Sequence, residues 1–531
     1  MIKNKIKKIT GCLLMVTIIL STLGLMGCSN SPEPDPIDDN YRTFYQIFVG
    51  SFSDSNNDGI GDIRGIINRF DYLNDGNINS EDSLGVQGIW LSPIFSSPTY
   101  HKYDTNDYYK IDWRFGTEED LKELIALCNE RNVKLILDLA INHTSKNHEW
   151  FVKFKEARMN GDTESEFYDY YSCVTTAEKV GGVTYQKIAG VDCWYECNFS
   201  GDMPELNYNN PVVSLKMLDV AKYYLDLGVH GFRFDAIKYI FYGNTRKSAD
   251  FWEWYMSELR AYAPDIYCVG ECWSGESEIL EYYSSMNCFN FAMSQAEGTV
   301  ASAAKGFTLS TYTNYIESYQ KKVLEKNPNG MVIGFLSNHD MDRIAGMFVT
   351  DNYMRMAANL YLLCSGSPII YYGEEIGMRG SRGGANTDAN RRLAMLWGDD
   401  DLIGDPTGST YPDENQIQSS VVEQSEDKES LLNYYRSLIK IRHRYPAIAR
   451  GIYNSLTTSE KNFGGFLIDY EGEELILLHN TSSEEISFDL STIKGLEGHK
   501  IGKICDYIGM GNAKLQGTVL TIGAQTSVII K

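Results

Sequence analysis

Eight short runs of β-branched, aromatic and other apolar residues recur along this chain, separated by segments of helical periodicity, and this alternation limits its fold more than any other feature. The runs are TFYQIFVGSF (43–52), VQGIWLSPIF (86–95), VKLILDLAINH (133–143), VHGFRFDAI (229–237), IYCVGECW (266–273), CFNFAM (288–293), MVIGFLSNHD (331–340) and SPIIYYGEEIG (367–377). They are continuous rather than alternating, as expected for parallel strands covered on both faces. Among the helical segments, TEEDLKELIALCNERN (117–132) opens with Thr117 in the N-cap place and Asp120 three residues on, where a capping box puts its carboxylate. Eight strand-then-helix units imply an α/β fold, a closed (β/α)₈ TIM barrel, here residues 41–143 and 229–444. The interval after the third run, 144–228, is far longer than one crossover needs and implies an inserted small domain on the loop side. From about Tyr445 the pattern changes to short alternating strands with turns, which implies a C-terminal antiparallel β-sandwich domain over 445–531.

The fourth run continues as GFRFDAIKY (231–239), placing Arg233 and Asp235 inside an otherwise buried strand. Each ion costs several kcal/mol there unless it is paired and hydrogen-bonded. The pair is therefore either a structural ion pair or the support of a working carboxylate. Catalytic groups of such barrels sit at the C-terminal ends of strands. Asp138, Asn142 and His143 end the third run, Arg233 and Asp235 the fourth, Glu271 the fifth, and His339 and Asp340 the seventh. Scattered structural pairs would not gather at one end of the barrel, so the clustering favours a working site. Three acids from three strands suit glycosidic bond cleavage. Arg233 beside Asp235 would hold that carboxylate ionised, as a nucleophile requires. Glu271, between Val269 and Trp273, has the less polar setting of an acid with a raised pKa. His339 could hydrogen-bond sugar hydroxyls while Asp340 stabilises a cationic transition state.

On these residues the chain resembles the α-amylase family of glycoside hydrolases, over nearly all of its length after the first 27 residues. The motifs DLAINH (138–143), GFRFDAIKY, GECW (270–273) and FLSNHD (335–340) stand in the family's order. The resemblance implies a retaining double displacement with Asp235 as nucleophile, Glu271 as general acid/base and Asp340 as transition-state stabiliser. It further implies that Arg233, His143 and His339 contact the sugar before the cleaved bond. By the same resemblance, KYD (102–104) supplies a stacking Tyr103 and a sugar-binding Asp104, Arg392 in RLAMLW partners that aspartate, and Lys238 works on the leaving-group side. Ala236 after the nucleophile and Lys238 favour α-1,4-glucan. MPELN (203–207) lies between neopullulanase and oligo-1,6-glucosidase versions, so mixed specificity stays open.

The first run leads into DSNNDGIGD (54–62), where Asp54, Asn56, Asp58 and Asp62 alternate with small residues and Gly59 allows a tight turn. Such oxygen ligands suit Ca²⁺, and the loop imitates the first half of an EF-hand, although Gly65 stands where a bidentate glutamate would complete one. Similar loops bind Ca²⁺ in members of the family, with the carbonyl of Ile60 contributing. A second family calcium site is not expected, because Tyr239 stands in the place of its histidine.

At the N-terminus, Lys3, Lys5, Lys7 and Lys8 precede an apolar stretch to Met26, the layout of a secretory signal over 1–27. LMGC (25–28) resembles a bacterial lipobox and implies a lipid on Cys28; a plain signal or a membrane anchor is the alternative. Residues 28–40 read as a polar tether. These features imply a protein lipid-anchored at the extracellular face of a bacterial cell envelope. Loss of the four signal lysines takes the formal charge from −23 to about −27, which disfavours nucleic acid and anionic polymers and leaves neutral α-glucan acceptable. The nine cysteines beyond Cys12 and Cys28 follow no disulfide-framework spacing, though Cys193 and Cys197 could pair with each other or with Cys173. The expected function is an α-amylase acting as a monomer on starch and maltooligosaccharides. The alternatives are a neopullulanase or oligo-1,6-glucosidase-like enzyme, an inactive glucan-binding lipoprotein, and an amylase-like transporter subunit.

Overall fold

The structure is a computed structural model that describes residues 37–348 and 350–531. The signal 1–27, Cys28 and most of the tether lie outside the described residues. Seven of the eight runs contain paired strands: β1 (Phe44–Ile47), β2 (Gly88–Leu91), β3 (Lys134–Leu139), β4 (Gly231–Phe234), β5 (Tyr267–Gly270), β6 (Asn287–Cys288) and β7 (Ile369–Tyr371). They form one sheet in the order β6-β5-β4-β3-β2-β1-β7, parallel at every pairing. All residues of β1, β2, β4 and β5 are buried, which is why their sequences show no alternation.

The seventh run departs from expectation, since 331–340 forms no regular strand. One parallel bridge joins Phe289 to Ile333. The amides of Asn290, Ser367 and Ile369 donate to the carbonyls of Ile333, Val332 and Gly334, each at 2.9 Å. The run thus touches both edge strands of the sheet, β6 and β7, but only through its first half. Its neighbour β6 is two residues long and gives way to a 3-10 turn at Phe291–Met293, so few partners are on offer. Beyond Leu336 the backbone turns, and Asn338 Oδ1 accepts from the Asp340 amide at 2.9 Å.

Large side chains fill the space inside the sheet: Phe44, Trp90, Ile136, Tyr267, Phe289 and Ile333 belong to one buried cluster, with Phe44 stacked on Tyr267 at 4.4 Å. Gly88 makes room for this, because a Cβ there would lie 2.4 Å from the Phe44 ring. Outside the sheet, the helix Glu118–Glu130 has the expected capping box, with the Asp120 amide donating to Thr117 Oγ1 and the Thr117 amide to Asp120 Oδ2.

Between β3 and β4 the chain forms a helix (Glu149–Asn160), a three-stranded antiparallel sheet centred on Trp194–Glu196, and a second helix (Pro211–Leu227). Of the pairings the sequence left open, the structure joins Cys173 to Cys193 and leaves Cys197 a buried free thiol. After Ile452 the chain is built of two antiparallel sheets of five and three strands. They share a core of their own that includes Leu456, Leu478, Leu520 and Val528. Among the described residues no helix is long and apolar enough to cross a membrane.

Candidate active site

At the C-terminal ends of β3, β4 and β5 the buried charges converge on one guanidinium. Arg233 is fully buried, and its Nη1 donates to Asp138 Oδ1 at 2.9 Å and to Asp235 Oδ1 at 2.6 Å. Its Nη2 faces Glu271 Oε1 at 3.9 Å. Asp138 is held from two further sides, by Trp90 Nε1 at 3.2 Å and Tyr103 Oη at 2.8 Å. The two readings of Arg233 therefore merge: Asp138 is the structural partner, and Asp235 is the carboxylate that the pair presents to a cavity of about 770 Å³.

The backbone turns sharply after Asp235. Ala236 takes a left-handed conformation, φ 47°, which costs a non-glycine residue about 1 kcal/mol or more. The turn aims its amide at Glu271 Oε2, 3.1 Å away, while the Ile237 amide donates to the Glu271 carbonyl at 3.0 Å. The segments that follow β4 and β5 are thereby locked together where their carboxylates meet the cavity. Burial pushes the Glu271 carboxyl up to about 7, with the Arg233 guanidinium opposing and the Asp235 and Asp340 carboxylates adding to it. That value suits a group that must carry a proton near neutral pH.

Asp340 is set differently. Its Oδ1 pairs with Arg392 Nη2 at 2.8 Å and its Oδ2 meets His339 Nε2 at 2.9 Å. Burial alone would raise its pKa, but His339 and the Arg392 guanidinium outweigh burial and hold the carboxyl well below the usual range. Gln46 Nε2 lies 2.7 Å from His339 Nδ1, which leaves the ring proton on Nε2, toward Asp340 and the Tyr103 hydroxyl at 2.6 Å. Tyr103 lies parallel to that ring, 5.4 Å between centroids, and lines the cavity. His143 also lines it. The His143 Nε2 donates to the Tyr103 carbonyl at 3.1 Å, and its buried Nδ1 has no partner among the described residues.

Three expected residues are placed otherwise. Asp104 does not reach the cavity; its Oδ1 accepts from Ser97 Oγ at 2.7 Å and from the Thr99 hydroxyl. It ties down its own loop, because two hydroxyls of the preceding turn lie nearer than any open space. Arg392 consequently pairs with Asp340 and donates to Tyr100 Oη at 3.1 Å, not with Asp104. Lys238 spends its ammonium on the Trp273 carbonyl, 2.7 Å away, at the rim beside Glu271.

The 54–62 loop is satisfied from within. Asp54 accepts from the amides of Asn56, Asn57 and Gly59, Asn56 from Asp58, and Asp58 from Ile60. Asp62 caps the helix Ile63–Asn68 and accepts from Ser55. Among the described residues no three His, Cys, Asp or Glu side chains come together to hold a metal ion. At the second family position, Tyr239 lies between the rings of Phe199 and Tyr242, at 4.6 and 4.8 Å.

Two aromatic residues at the cavity had no distinguishing sequence signal. Trp273 and Phe199 are each 45% exposed although both line it. Trp273 is stacked on Phe291 at 5.2 Å and offers its other face to the opening, a suitable platform for a sugar ring. In the sequence it figured as an apolar neighbour of Glu271 and as the last residue of GECW, without a sugar-binding role, and Phe199 sits in the segment between β3 and β4 with no motif around it.

The model of the "Alpha amylase, catalytic domain" family matches residues 46–451. The chain belongs to the α-amylase family. It is 34% identical over 493 residues to alpha-amylase 3 of Dictyoglomus thermophilum, covering 92% of each chain. To the oligo-1,6-glucosidase of Bacillus cereus it is 28% identical over 525 residues, covering 84% of this chain and 91% of that one. Among solved structures, Amy13B of Eubacterium rectale superposes with a TM-score of 0.85 at 32% identity, covering 94% of this chain and 97% of the other. As an α-amylase family member the chain is a glycosidase. With Glu271 as the proton donor, kcat/KM falls as pH rises through about 7, because the carboxyl is then deprotonated in the free enzyme. A pH profile recorded for Glu271→Gln beside the parent checks this: the variant's residual activity loses that alkaline limb.

Proposed function

We propose that this glycosidase is a retaining α-amylase that cleaves α-1,4-glucosidic bonds of starch and maltooligosaccharides. The observation that carries the reading is the Arg233 cluster, which presents Asp235 and Glu271 side by side to the cavity that Asp340 also lines. In the first step an Asp235 oxygen attacks the anomeric carbon while Glu271 gives its proton to the departing oxygen. Asp340, held by Arg392 and His339, steadies the positive charge on the ring. In the second step the Glu271 carboxylate takes a proton from water, which attacks the anomeric carbon and frees Asp235 with net retention. His143, His339, Arg233 and Tyr103 are the proposed contacts of the sugar being cleaved, and Lys238 is proposed on the leaving-group side through its grip on Trp273.

A second reading, neopullulanase or oligo-1,6-glucosidase-like action, is favoured by MPELN and by the similarity to a relative named oligo-1,6-glucosidase. The inactive glucan-binder has less support, because all three carboxylates line the cavity. Digestion of soluble starch, pullulan and isomaltotriose followed by product analysis separates these readings. Maltooligosaccharides from starch are the expected result; glucose from isomaltotriose with starch untouched would move the assignment to α-1,6 bonds.

The proposed domains are the two barrel parts 41–143 and 229–444, the insertion 144–228 and the β-sandwich 445–531, in a chain that works as a monomer. The proposed place of work is the outer face of a bacterial membrane, through a lipid on Cys28 after removal of 1–27. The lipobox and the Cys173–Cys193 disulfide, which belongs to an oxidising compartment, support it. Calcium in the 54–62 loop is an accompanying proposal. Its support is an all-oxygen donor set in which Asp54 Oδ2, Asp58 Oδ1 and Asp62 Oδ1 each accept a single N–H and keep a second lone pair. Thermal melts with and without chelator test it: Tm falls by several degrees in EGTA and recovers with Ca²⁺, whereas an unchanged Tm would remove calcium from this loop.

A further inference from the structure

One buried polar side chain, Gln46 on β1, takes no part in the mechanism above. Side chains alternate along a barrel strand, so Gln46 shares the inward face with Phe44 of the inner cluster and stands further toward the cavity end. It is completely buried. Its side chain makes one hydrogen bond, from Nε2 to His339 Nδ1 at 2.7 Å, and its Oε1 has no partner among the described residues. An amide oxygen buried without a partner carries its whole desolvation cost. An aliphatic side chain of similar length would fill the space without that cost, so packing does not account for a glutamine here.

The protons around His339 have a fixed direction. Arg392 Nη2, 2.8 Å from Asp340 Oδ1, keeps that acid ionised, so Asp340 Oδ2 can only accept from His339 Nε2, 2.9 Å away. The ring proton therefore sits on Nε2. It also reaches Tyr103 Oη at 2.6 Å, which leaves the hydroxyl proton free to go to Asp138 Oδ2 at 2.8 Å. A neutral ring then has only the Nδ1 lone pair left to satisfy, and glutamine does so by turning its NH₂ end toward the ring. The opposite orientation would demand a second ring proton. Burial opposes that proton and holds the ring below its usual pKa, with Arg392 and Arg233 adding to the effect and Asp340 working against it.

The other contacts of the ring do not select this state. Tyr103 lies parallel to it at 5.4 Å and Trp90 meets it edge-on at 5.8 Å, and together they set its plane. A half-turn of the ring within that plane would keep both contacts and bring a carbon, not Nε2, to Asp340. Gln46 alone distinguishes the two placements, because it needs a nitrogen lone pair on its own side. An imidazolium would fail in another way, since its charge would offset the negative charge that Asp340 holds beside the sugar ring.

We propose that Gln46 is a positioning residue of the reaction: by donating to Nδ1 it holds His339 as a neutral imidazole whose Nε2–H is aimed at Asp340 and the Tyr103 hydroxyl. The role rests on the α-glucan hydrolase reading, in which Asp340 steadies the charge on the sugar. The test sets Gln46→Leu and Gln46→Glu beside the parent, read by kinetics on maltooligosaccharides, by Tm and by ¹⁵N NMR of the eight histidines, with His339 assigned from the signals lost in His339→Asn. In the parent, His339 is protonated at Nε2 only. In Gln46→Leu, kcat falls about tenfold or more while KM stays within about threefold. In Gln46→Glu the carboxylate draws a second proton onto the ring, both nitrogens read as protonated, and kcat falls by a similar factor although a hydrogen bond remains. A merely structural glutamine would leave the protonation of His339 unaltered and lower kcat only in step with Tm. Should Gln46→Leu fail to fold, Gln46→Glu decides alone. Parent-like kcat in either folded variant, or an unaltered His339 signal in Gln46→Glu, overturns the role. A parent that cleaves no α-glucan overturns the hydrolase reading and the role with it, and the NMR signature, which needs no turnover, tells that failure from a Gln46 that leaves His339 unmoved in an active enzyme.

Discussion

Asp235→Asn lowers kcat/KM on maltooligosaccharides by on the order of 10⁴-fold or more, about 5.5 kcal/mol at about 1.36 kcal/mol per tenfold, while the fold survives. The amide matches the carboxylate in shape and can still offer one oxygen to Arg233 Nη1, which keeps its two contacts to Asp138. What it loses is the capacity to form a bond to the anomeric carbon. The expected signature is therefore a loss in turnover with Tm nearly unchanged and binding of maltotriose retained. A variant that keeps activity within tenfold of the parent would deny Asp235 the nucleophile's place, whatever its position in the cavity.

How much of this was legible in the sequence depended on whether a feature is local or made by contacts between distant segments. The parallel strands could be read because burial on both faces leaves continuous apolar runs, as in β1 and β4. The 331–340 run had the same composition, yet whether it pairs depends on the length of β6, which no property of 331–340 reports. Asp235, Glu271 and Asp340 were visible because ionisable residues at strand ends contradict their apolar surroundings. Asp104 was singled out only by its likeness to the family's sugar-binding aspartate, and its partners Ser97 and Thr99 in the preceding turn draw it away. Arg392 belongs to a segment more than fifty residues beyond Asp340, and only the folded chain reveals that these two are paired. The DSNNDGIGD loop has the ligand alternation of a calcium site, but the same side chains also close Asx turns on their own amides, and the sequence does not choose between the two uses.

Removing the buried cation has the largest expected effect on stability. Arg233→Met deletes the one group that pairs Asp138 and Asp235, and Asp138 is completely buried. Leaving a buried charge without its partner costs about 3–5 kcal/mol, a large share of the roughly 5–15 kcal/mol that holds a domain folded. Methionine fills comparable space beside Trp90 and Tyr103, whose rings lie 5.3 and 5.9 Å from the guanidinium carbon, so most of the loss is electrostatic and not a cavity. Lysine does not substitute, because one ammonium in the place of Nη1 leaves nothing where Nη2 faces Glu271 Oε1. The double variant Arg233→Met/Asp138→Asn separates the causes. Neutralising Asp138 restores part of the lost Tm, since an amide can still accept from Trp90 Nε1 and Tyr103 Oη, although activity stays low without the cation beside Asp235. Equal stability of Arg233→Met and the parent would mean that Asp138 takes up a proton at little cost and that the arginine serves only the reaction. A deep loss rescued by the second substitution would mean that one guanidinium both holds the barrel's end together and sets the nucleophile in place.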